Sequence, residues 1–390
     1  MKMMILLAAL LSLCACKKNT YPVLQTNCLQ PLPDSVQTNH PKQLQLQQLI
    51  DSLTLKGVPG FSLAVHQPGK GWFTGSSGYS DIRAKKKFQP CQVSRAGSVV
   101  KILTSISVLQ LVEQGKLSLD ERIANYLPAA VLKDMDNASQ ATVRQLLNHS
   151  SGIYNYIQDP QFQLANLNNL TRIWQPDELL SYARNRTPYF KPGEGLYYSN
   201  TGYILLGMLI EKLSGVHFSE YFNRHIFQPL HLKHTRFDIY NPVPNDLARG
   251  YTDWYNNGQI IESTFYNGWD HYTADGGLQS VPFNLCVVME ALFDLKLINQ
   301  SSLNTMLTTI PLDQTDFFPM EYGLGIFKVH TPYGLAWFHS GDAIGYFGTV
   351  FYFPESQTTI SWMTNGNYGT IDPLINTREA YERILGRVFN

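Results

Sequence analysis

The chain has 390 residues, of which 44% are hydrophobic and 15% charged, a balance that suits a globular protein and argues against disorder. Its 30 basic and 30 acidic residues cancel to a formal net charge of zero and no long basic run appears, so nucleic acid is set aside as a partner. A chain of this length can bury one large core or two packed subdomains.

Met1-Lys2 precedes an apolar run, Met3 to Leu13, that is too short to span a bilayer and has the form of a signal-peptide core. It ends in Leu13-Cys14-Ala15-Cys16. This resembles a bacterial lipoprotein lipobox, with residues 1–15 removed and Cys16, preceded by the small Ala15, acylated. Several acyl chains on one cysteine would hold the protein at a membrane without a spanning helix. The expected location is the bacterial cell envelope, at the periplasmic or outer-membrane face. Residues 16–40 are polar, Gln-rich and broken by Pro22, Pro31 and Pro33, which reads as an extended tether. Of the remaining cysteines, Cys28, Cys91 and Cys286, an exported chain could pair Cys28 with Cys91; free thiols are the open alternative.

From Pro41, Leu44, Leu46, Leu49, Ile50 and Leu53 recur at helical spacing up to Gly57. Residues 60–66 and 71–79 read as a β-hairpin turned at Gln67-Pro68-Gly69. Helices are predicted at Ser98 to Gln114, Thr142 to Leu147, Asp177 to Ala183 and Thr201 to Leu213. Between Tyr251 and Tyr272 the chain becomes loop-rich, and Trp254, Tyr255, Phe265, Tyr266, Trp269 and Tyr272 either wall a substrate cleft or pack locally. Strands follow at Tyr322 to Val329, Leu335 to His339, Phe347 to Phe353 and Thr358 to Met363, then a helix from about Pro373 to Val388. The pattern predicts an α+β protein over 41–390. An antiparallel sheet is assembled from both ends of the chain, about 41–97 and 320–390, with a mainly helical part over about 98–319. An active site is expected in the cleft between the two.

Three stretches carry chemistry. In Ser98-Val99-Val100-Lys101, the i and i+3 side chains share a helix face, pairing a hydroxyl with an amine. A serine hydroxyl is a poor nucleophile without a base in reach, and lysine is such a base only where its surroundings favour the neutral form. Tyr198-Ser199-Asn200 sits after a Pro192-Gly193 turn and before a long apolar helix, and His339-Ser340-Gly341 lies on a predicted strand.

In this order the three motifs resemble the serine β-lactamase and penicillin-binding-protein superfamily, in its class C-like branch of β-lactamase-related hydrolases and D,D-peptidases. Further matches are Gly115 to Asp120, Leu146 to Gly152, Gly276-Gly277-Leu278 and Tyr322 to Gly325, so the resemblance spans about residues 42–388. It implies the β-lactamase/transpeptidase-like fold and an acyl-enzyme on Ser98, with Lys101 and Tyr198 sharing the proton work. A cation beside Tyr198 is expected to lower the phenol's pKa so that a phenolate serves as base. Asn200 would hydrogen-bond Lys101 and the substrate amide; a plain helix N-cap is its other reading. By the same resemblance, the backbone N–H groups of Ser98 and Asp342 form an oxyanion hole, and Gly341 allows close approach to substrate. The Asn148 to Gly152 segment around His149 is expected to be structural.

His339 stands where penicillin-binding proteins usually carry lysine. A histidine, mostly neutral near pH 7, offers a hydrogen bond in place of a fixed charge. Asp342 would repel an anion if its side chain faces the cleft. Both features weigh against a carboxylate-bearing substrate. His231 and His234 share a helical spacing but have no third ligand, so no metal is expected; no cofactor is implied. The sequence therefore reads as a serine hydrolase of a small-molecule or peptide amide or ester, D,D-carboxypeptidase- or esterase-like, with cell-wall-derived compounds among the candidates. A class C-like β-lactamase and a non-catalytic penicillin-recognising or envelope-binding protein are the alternatives.

Overall fold

Every residue of the Tyr346–Phe353 strand is buried, and the two faces of the strand feed different cores. Phe347, Phe351 and Phe353 join one apolar cluster, whereas Val350 and Tyr352 join another. A strand apolar on both faces belongs in a sheet covered on both sides. The computed structural model, which describes Cys28, Leu32 and residues 40–237, 239–241, 243–268, 273–312 and 318–390, shows this arrangement. The expected signal peptide, Cys16, most of the tether, and Trp269 and Tyr272 lie outside the described residues.

The sheet has nine antiparallel strands. In spatial order they are Lys86–Lys87, Gly71–Asp81, Gly60–Gln67, Thr358–Thr364, Tyr346–Phe353, Gly334–Ala343, Phe327–Thr331, Met320–Tyr322 and Ile310–Pro311. The seam between the two ends of the chain is the pairing of Gly60–Gln67 with Thr358–Thr364, in register from Phe61 opposite Thr364 to His66 opposite Thr359. One face is covered by the first and last long helices, Gln43–Leu55 and Arg378–Phe389, through Leu46, Leu49, Ile50, Tyr381, Ile384 and Leu385. The other face receives the Val100–Glu113 and Pro282–Phe293 helices, whose apolar residues share a continuous core with Trp337, Val350, Tyr352 and Met363 of the sheet. Period-two alternation along Gly334–Ala343 sends Ala336 and Phe338 towards the terminal helices and Trp337 the other way. It thereby puts His339 and Gly341 on the face that meets the helical part.

Four details differ from the sequence expectation. The Val100–Glu113 helix begins two residues after Ser98, which sits in the tight turn leading into it. The strand expected over Tyr322 to Val329 is two strands. The chain folds back between them, where Gly323 N–H bonds Ile326 O and Leu324 N–H bonds Met306 O. The C-terminal helix is broken into Asp372–Ile375 and Arg378–Phe389 because Thr377 caps the second piece, its side chain accepting from Ala380 N–H. Pro282–Phe293 had no periodic signature: eight of its twelve residues are buried, and a helix apolar nearly all round shows no stripe.

Cys28 and Cys91 form a disulfide, with Cα atoms 5.5 Å apart across a 63-residue separation. It ties the N-terminal arm to the segment entering the Ser94–Gly97 strand, and Cys286 is buried and free.

The packing of the sheet's centre gives a direct test. The Phe351 ring lies 4.7 Å from Phe338, 5.7 Å from Trp362 and 5.4 Å from Tyr381, centroid to centroid. Phe351→Ala should cost about 3–5 kcal/mol in a chemical denaturation curve; a loss below about 1 kcal/mol would show that this stack does not hold the face together.

Candidate active site

Ser98 is held between two elements that end at it. The short Ser94–Gly97 strand pairs with Leu278–Ser280 and passes beneath the Gly334–Ala343 strand, and the Val100–Glu113 helix starts just beyond. The approach of these backbones is possible only because glycines face each other. A Cβ on Gly341 would collide with Ala96 O and Ser98 N, and one on Gly97, whose φ is +49°, would stand 2.8 Å from Asp342 N. The backbone N–H groups of Ser98 and Asp342 are thereby brought to the same corner. Pairing with Phe327–Thr331 ends at Phe338, so residues 339–343 present that edge of their strand to the cleft. The N-terminus of a fourteen-residue helix at Ser98 adds a favourable field for negative charge developing there.

Lys101 is fully buried, and its amine reaches acceptors from three separate segments: Ser98 Oγ at 3.0 Å, Asn200 Oδ1 at 2.8 Å and the Asp275 carbonyl at 2.6 Å. The rings of Tyr198 and Tyr203 lie 5.0 and 5.2 Å from Nζ, adding cation–π attraction where no water can help. Asn200 therefore spends its side chain on Lys101 and does not cap its helix; the N-cap of Asn200–Ser214 is Ser199, which makes no side-chain cap bond.

The Tyr198 phenol lies beside the Ser98 hydroxyl in the same cleft. Burial among the rings of His149, Tyr322 and Phe327 pushes this phenol well above its usual pKa, with the nearby Ser98 hydroxyl opposing. The expectation that a neighbouring cation lowers it is reversed, because loss of water outweighs an ammonium placed over the ring face. In the resting site Tyr198 is a neutral phenol. Part of its ring stays open to the cleft.

His339 is buried, and both ring nitrogens are engaged: Nδ1–H donates to Ser340 O at 2.6 Å, and Nε2 accepts from Tyr322 Oη at 3.2 Å. Burial, with Lys101 nearby, lowers its pKa to about 3. It is thus a neutral wall with no N–H left to offer, which is narrower than the hydrogen-bonding role expected of it. Asp342 is exposed, 3.4 Å from Asn367 Nδ2 through Oδ1. Its low-polarity surroundings and the Asp372 carboxylate raise its carboxyl above the usual range. Because the carboxyl keeps water on one side, this makes protonation easier, not obligatory.

These residues line one cleft of about 280 Å³: Ser98, Tyr198, Asn200, His339, Gly341 and Asp342, with Ile157, Asp275, Phe327 and Ser340. A larger cavity of about 450 Å³ around His217 and Arg236 contains none of them. The described members of the Trp254–Tyr266 aromatic group do not line the catalytic cleft; Trp254 and Tyr255 face solvent. Among the described residues no group of three or more His, Cys, Asp or Glu side chains is arranged to hold a metal ion.

Two contributors escaped the sequence reading. Asn155 braces the Tyr198 segment, Nδ2 donating to Tyr198 O at 3.3 Å and Oδ1 accepting from Asn200 N–H at 3.2 Å; it lies in a stretch with no periodic signal. Tyr322 was noted only as part of a flanking match, and its bond to His339 joins strands whose sequences show no link.

The Beta-lactamase family model matches residues 46–382. The chain belongs to that family, and its site carries the parts of a serine hydrolase. Protein flp of Staphylococcus aureus (strain MW2) is 30% identical over 232 residues, covering 58% of this chain and 45% of flp, so the match spans less than half of that relative. Penicillin-binding protein 4* of Bacillus subtilis (strain 168) is 27% identical over 338 residues, covering 83% of this chain and 72% of its own. The solved structure of a D-stereospecific amidohydrolase from Streptomyces sp. superposes with a TM-score of 0.75 at 28% identity, covering 88% of this chain and 98% of that one. D-amino acid amidase from Ochrobactrum anthropi SV3, complexed with D-phenylalanine, shares the fold with a TM-score of 0.79 at 24% identity, covering 89% and 98%.

The neutral His339 has a measurable consequence. The unfolded chain takes up a proton on this residue as pH falls below about 6.5, whereas the folded chain does so only near about 3. Stability is therefore complete above pH 6.5 and drains away as pH falls between these values, by a total on the order of 5 kcal/mol. Between about pH 7.5 and about pH 4.5 the wild type should lose about 3 kcal/mol more than His339→Gln in urea denaturation; parallel losses would contradict a neutral, buried imidazole.

Proposed function

We propose that this protein hydrolyses amides or esters of amino acids or short peptides through an acyl-enzyme on Ser98. The observation that carries the reading is the placement of Ser98 Oγ 3.0 Å from the Lys101 amine, in a cleft that the Tyr198 phenol also lines. Ser98 Oγ attacks the carbonyl carbon as its proton passes into the Lys101–Tyr198 pair. The oxygen, now anionic, is received by the Ser98 and Asp342 N–H groups. Collapse expels the amine or alcohol, which takes the proton back from the pair. Water then repeats the sequence against the acyl-enzyme and frees Ser98. A neutral phenol can give a proton to a leaving group directly, so the raised Tyr198 pKa suits the second half of each step.

The substrate class follows from charge. His339 is neutral and has both nitrogens engaged, and Lys101 is the one cation among the described residues around the nucleophile, already held by three acceptors. Among the described residues lining the cleft there is no lysine or arginine to pair with a carboxylate next to the scissile bond. This favours amides and esters over β-lactams and terminal D-Ala carboxylates. The D-stereospecific amidohydrolase among the similar structures supports an amide and a D-configured acyl group. A binder that recognises its ligand without being acylated would have no use for Ser98, Lys101 and Tyr198 in this geometry.

We also propose that the protein works outside the cytoplasm, anchored by a lipid on Cys16. The lipobox-like sequence before Cys16 and the Cys28–Cys91 disulfide, a bond suited to an oxidising compartment, support this. Among the described residues no helix is long and apolar enough to cross a membrane. Cys16→Ser should move the protein from the membrane pellet to the soluble fraction, and an unchanged distribution would refute the anchor.

For the chemistry, the purified protein should be labelled by a fluorophosphonate at Ser98 and should turn over p-nitrophenyl esters and D-amino acid amides. Ser98→Ala should abolish labelling and lower kcat by at least about 10³-fold. Turnover or labelling that survives this substitution would overturn the mechanism. Faster hydrolysis of nitrocefin than of any amide or ester would replace the substrate assignment with a β-lactamase.

A further inference from the structure

His149 is buried and close to the reacting atoms, and the chemistry above does not use it. Its backbone is left-handed, with φ +61°, a conformation that costs a residue with a Cβ and persists only where the surroundings impose it. From this position it holds the chain on both sides of Tyr198. Its carbonyl accepts the Tyr197 N–H at 3.0 Å, and its Nδ1 accepts the Ser199 N–H at 3.2 Å. Its ring lies 4.1 Å from the Tyr198 ring, centroid to centroid, tilted by 38°. Because Nδ1 is an acceptor, the proton of the neutral imidazole is on Nε2, and that buried N–H finds no hydrogen-bond partner; the rings of Tyr322 and Tyr203 lie 4.7 and 5.2 Å away. Burial and the nearby Lys101 keep the ring uncharged. Packing alone would be served by an apolar side chain, without an unpartnered N–H or a strained backbone.

We propose that His149 is the positioning residue for Tyr198: its carbonyl and Nδ1 fix the peptide on either side, and its ring face sets the angle at which the phenol meets Ser98. The proposal rests on Tyr198 acting in the Ser98 mechanism. Asn155 holds the Tyr198 carbonyl and the Asn200 N–H, so the two residues together fix the backbone from Tyr197 to Asn200, and of the two it is His149 that also packs against the ring.

The test uses the whole protein and three forms of residue 149. Asparagine retains an acceptor near the place of Nδ1 and tolerates the left-handed backbone, whereas alanine supplies no acceptor and no ring. With p-nitrophenyl esters, His149→Ala should lower kcat by about 10²-fold with KM within about twofold, the size of effect expected from a misplaced catalytic group. His149→Asn should recover about tenfold of that loss. An independent reading comes from 3-fluorotyrosine labelling. The ¹⁹F resonance of Tyr198, assigned by its absence in Tyr198→Phe, should broaden or split in His149→Ala and sharpen again in His149→Asn, whether or not a substrate has been found. A kcat within about threefold of wild type in His149→Ala, a KM change matching the kcat change, or a Tyr198 signal unaltered in His149→Ala would each overturn the assignment. If alanine prevents folding, His149→Asn decides: a kcat about tenfold below wild type with KM within about twofold and an altered Tyr198 signal supports the role, and wild-type kcat with a wild-type Tyr198 signal rejects it. Wild-type turnover that persists in Ser98→Ala would instead strike the hydrolase reading, and the ¹⁹F comparison separates that failure from this one.

Discussion

A lysine amine with no access to solvent has to be given partners by the fold, because an uncompensated buried charge is among the costliest things a protein can contain. Lys101 obtains them from a turn, a helix start and a loop: Ser98, Asn200 and the carbonyl of Asp275. Those three segments are far apart in sequence, so satisfying one side chain fixes the relation between the sheet-proximal strand, the long Asn200–Ser214 helix and the loop before Leu278–Ser280. The nucleophile is therefore positioned by the same bonds that make burial of the cation tolerable. Catalytic geometry and structural integrity are one requirement at this point, and their effects will be hard to separate by mutating Lys101 itself.

The surroundings of that amine set the chemistry more than its identity does. Water is excluded by Tyr198, Tyr203, His149 and Tyr322, and every titratable group in this shell that shows a resolved shift moves towards its neutral form. Such a pocket keeps proton transfers short and avoids separating charge until substrate arrives. Replacing a lysine by His339 on the sheet edge removes a formal charge, and Tyr322 and Ser340 then complete the hydrogen bonding of the imidazole.

Much of this was legible in the chain, for identifiable reasons. Leucines at helical spacing before Gly57, the β-branched and aromatic residues of Phe347 to Phe353, and turns rich in Gly, Pro and Asn are local signals, and the corresponding helix and strands are found where they point. Ser98, Lys101, Tyr198 and His339 were singled out by motif order, and the fold brings these four segments to one cleft. What could not be read is what depends on contact between distant segments. The direction of the Tyr198 shift is set by rings contributed from residues 149, 322 and 327, and sequence offered only the nearby cation. The double engagement of His339 needs Tyr322 on another strand. Pro282–Phe293 was invisible because burial on nearly all sides erases periodicity, and Asn155 because one polar residue in an irregular stretch resembles any other.

The seam of the sheet has a consequence for how the molecule is made. Phe61 pairs with Thr364 and His66 with Thr359, partners separated by roughly 300 residues. A chain that emerges from its N-terminus exposes the Gly60–Gln67 and Gly71–Asp81 hairpin, with one edge and one apolar face uncovered, until almost the last strand has been synthesised. The sheet cannot close, and the Ser98 turn cannot meet Gly341 and Asp342, before the C-terminal strands arrive. Activity thus reports on the completed chain. A truncation of even the last strand and helix would leave an aggregation-prone hairpin and an unassembled site, not a weakened enzyme.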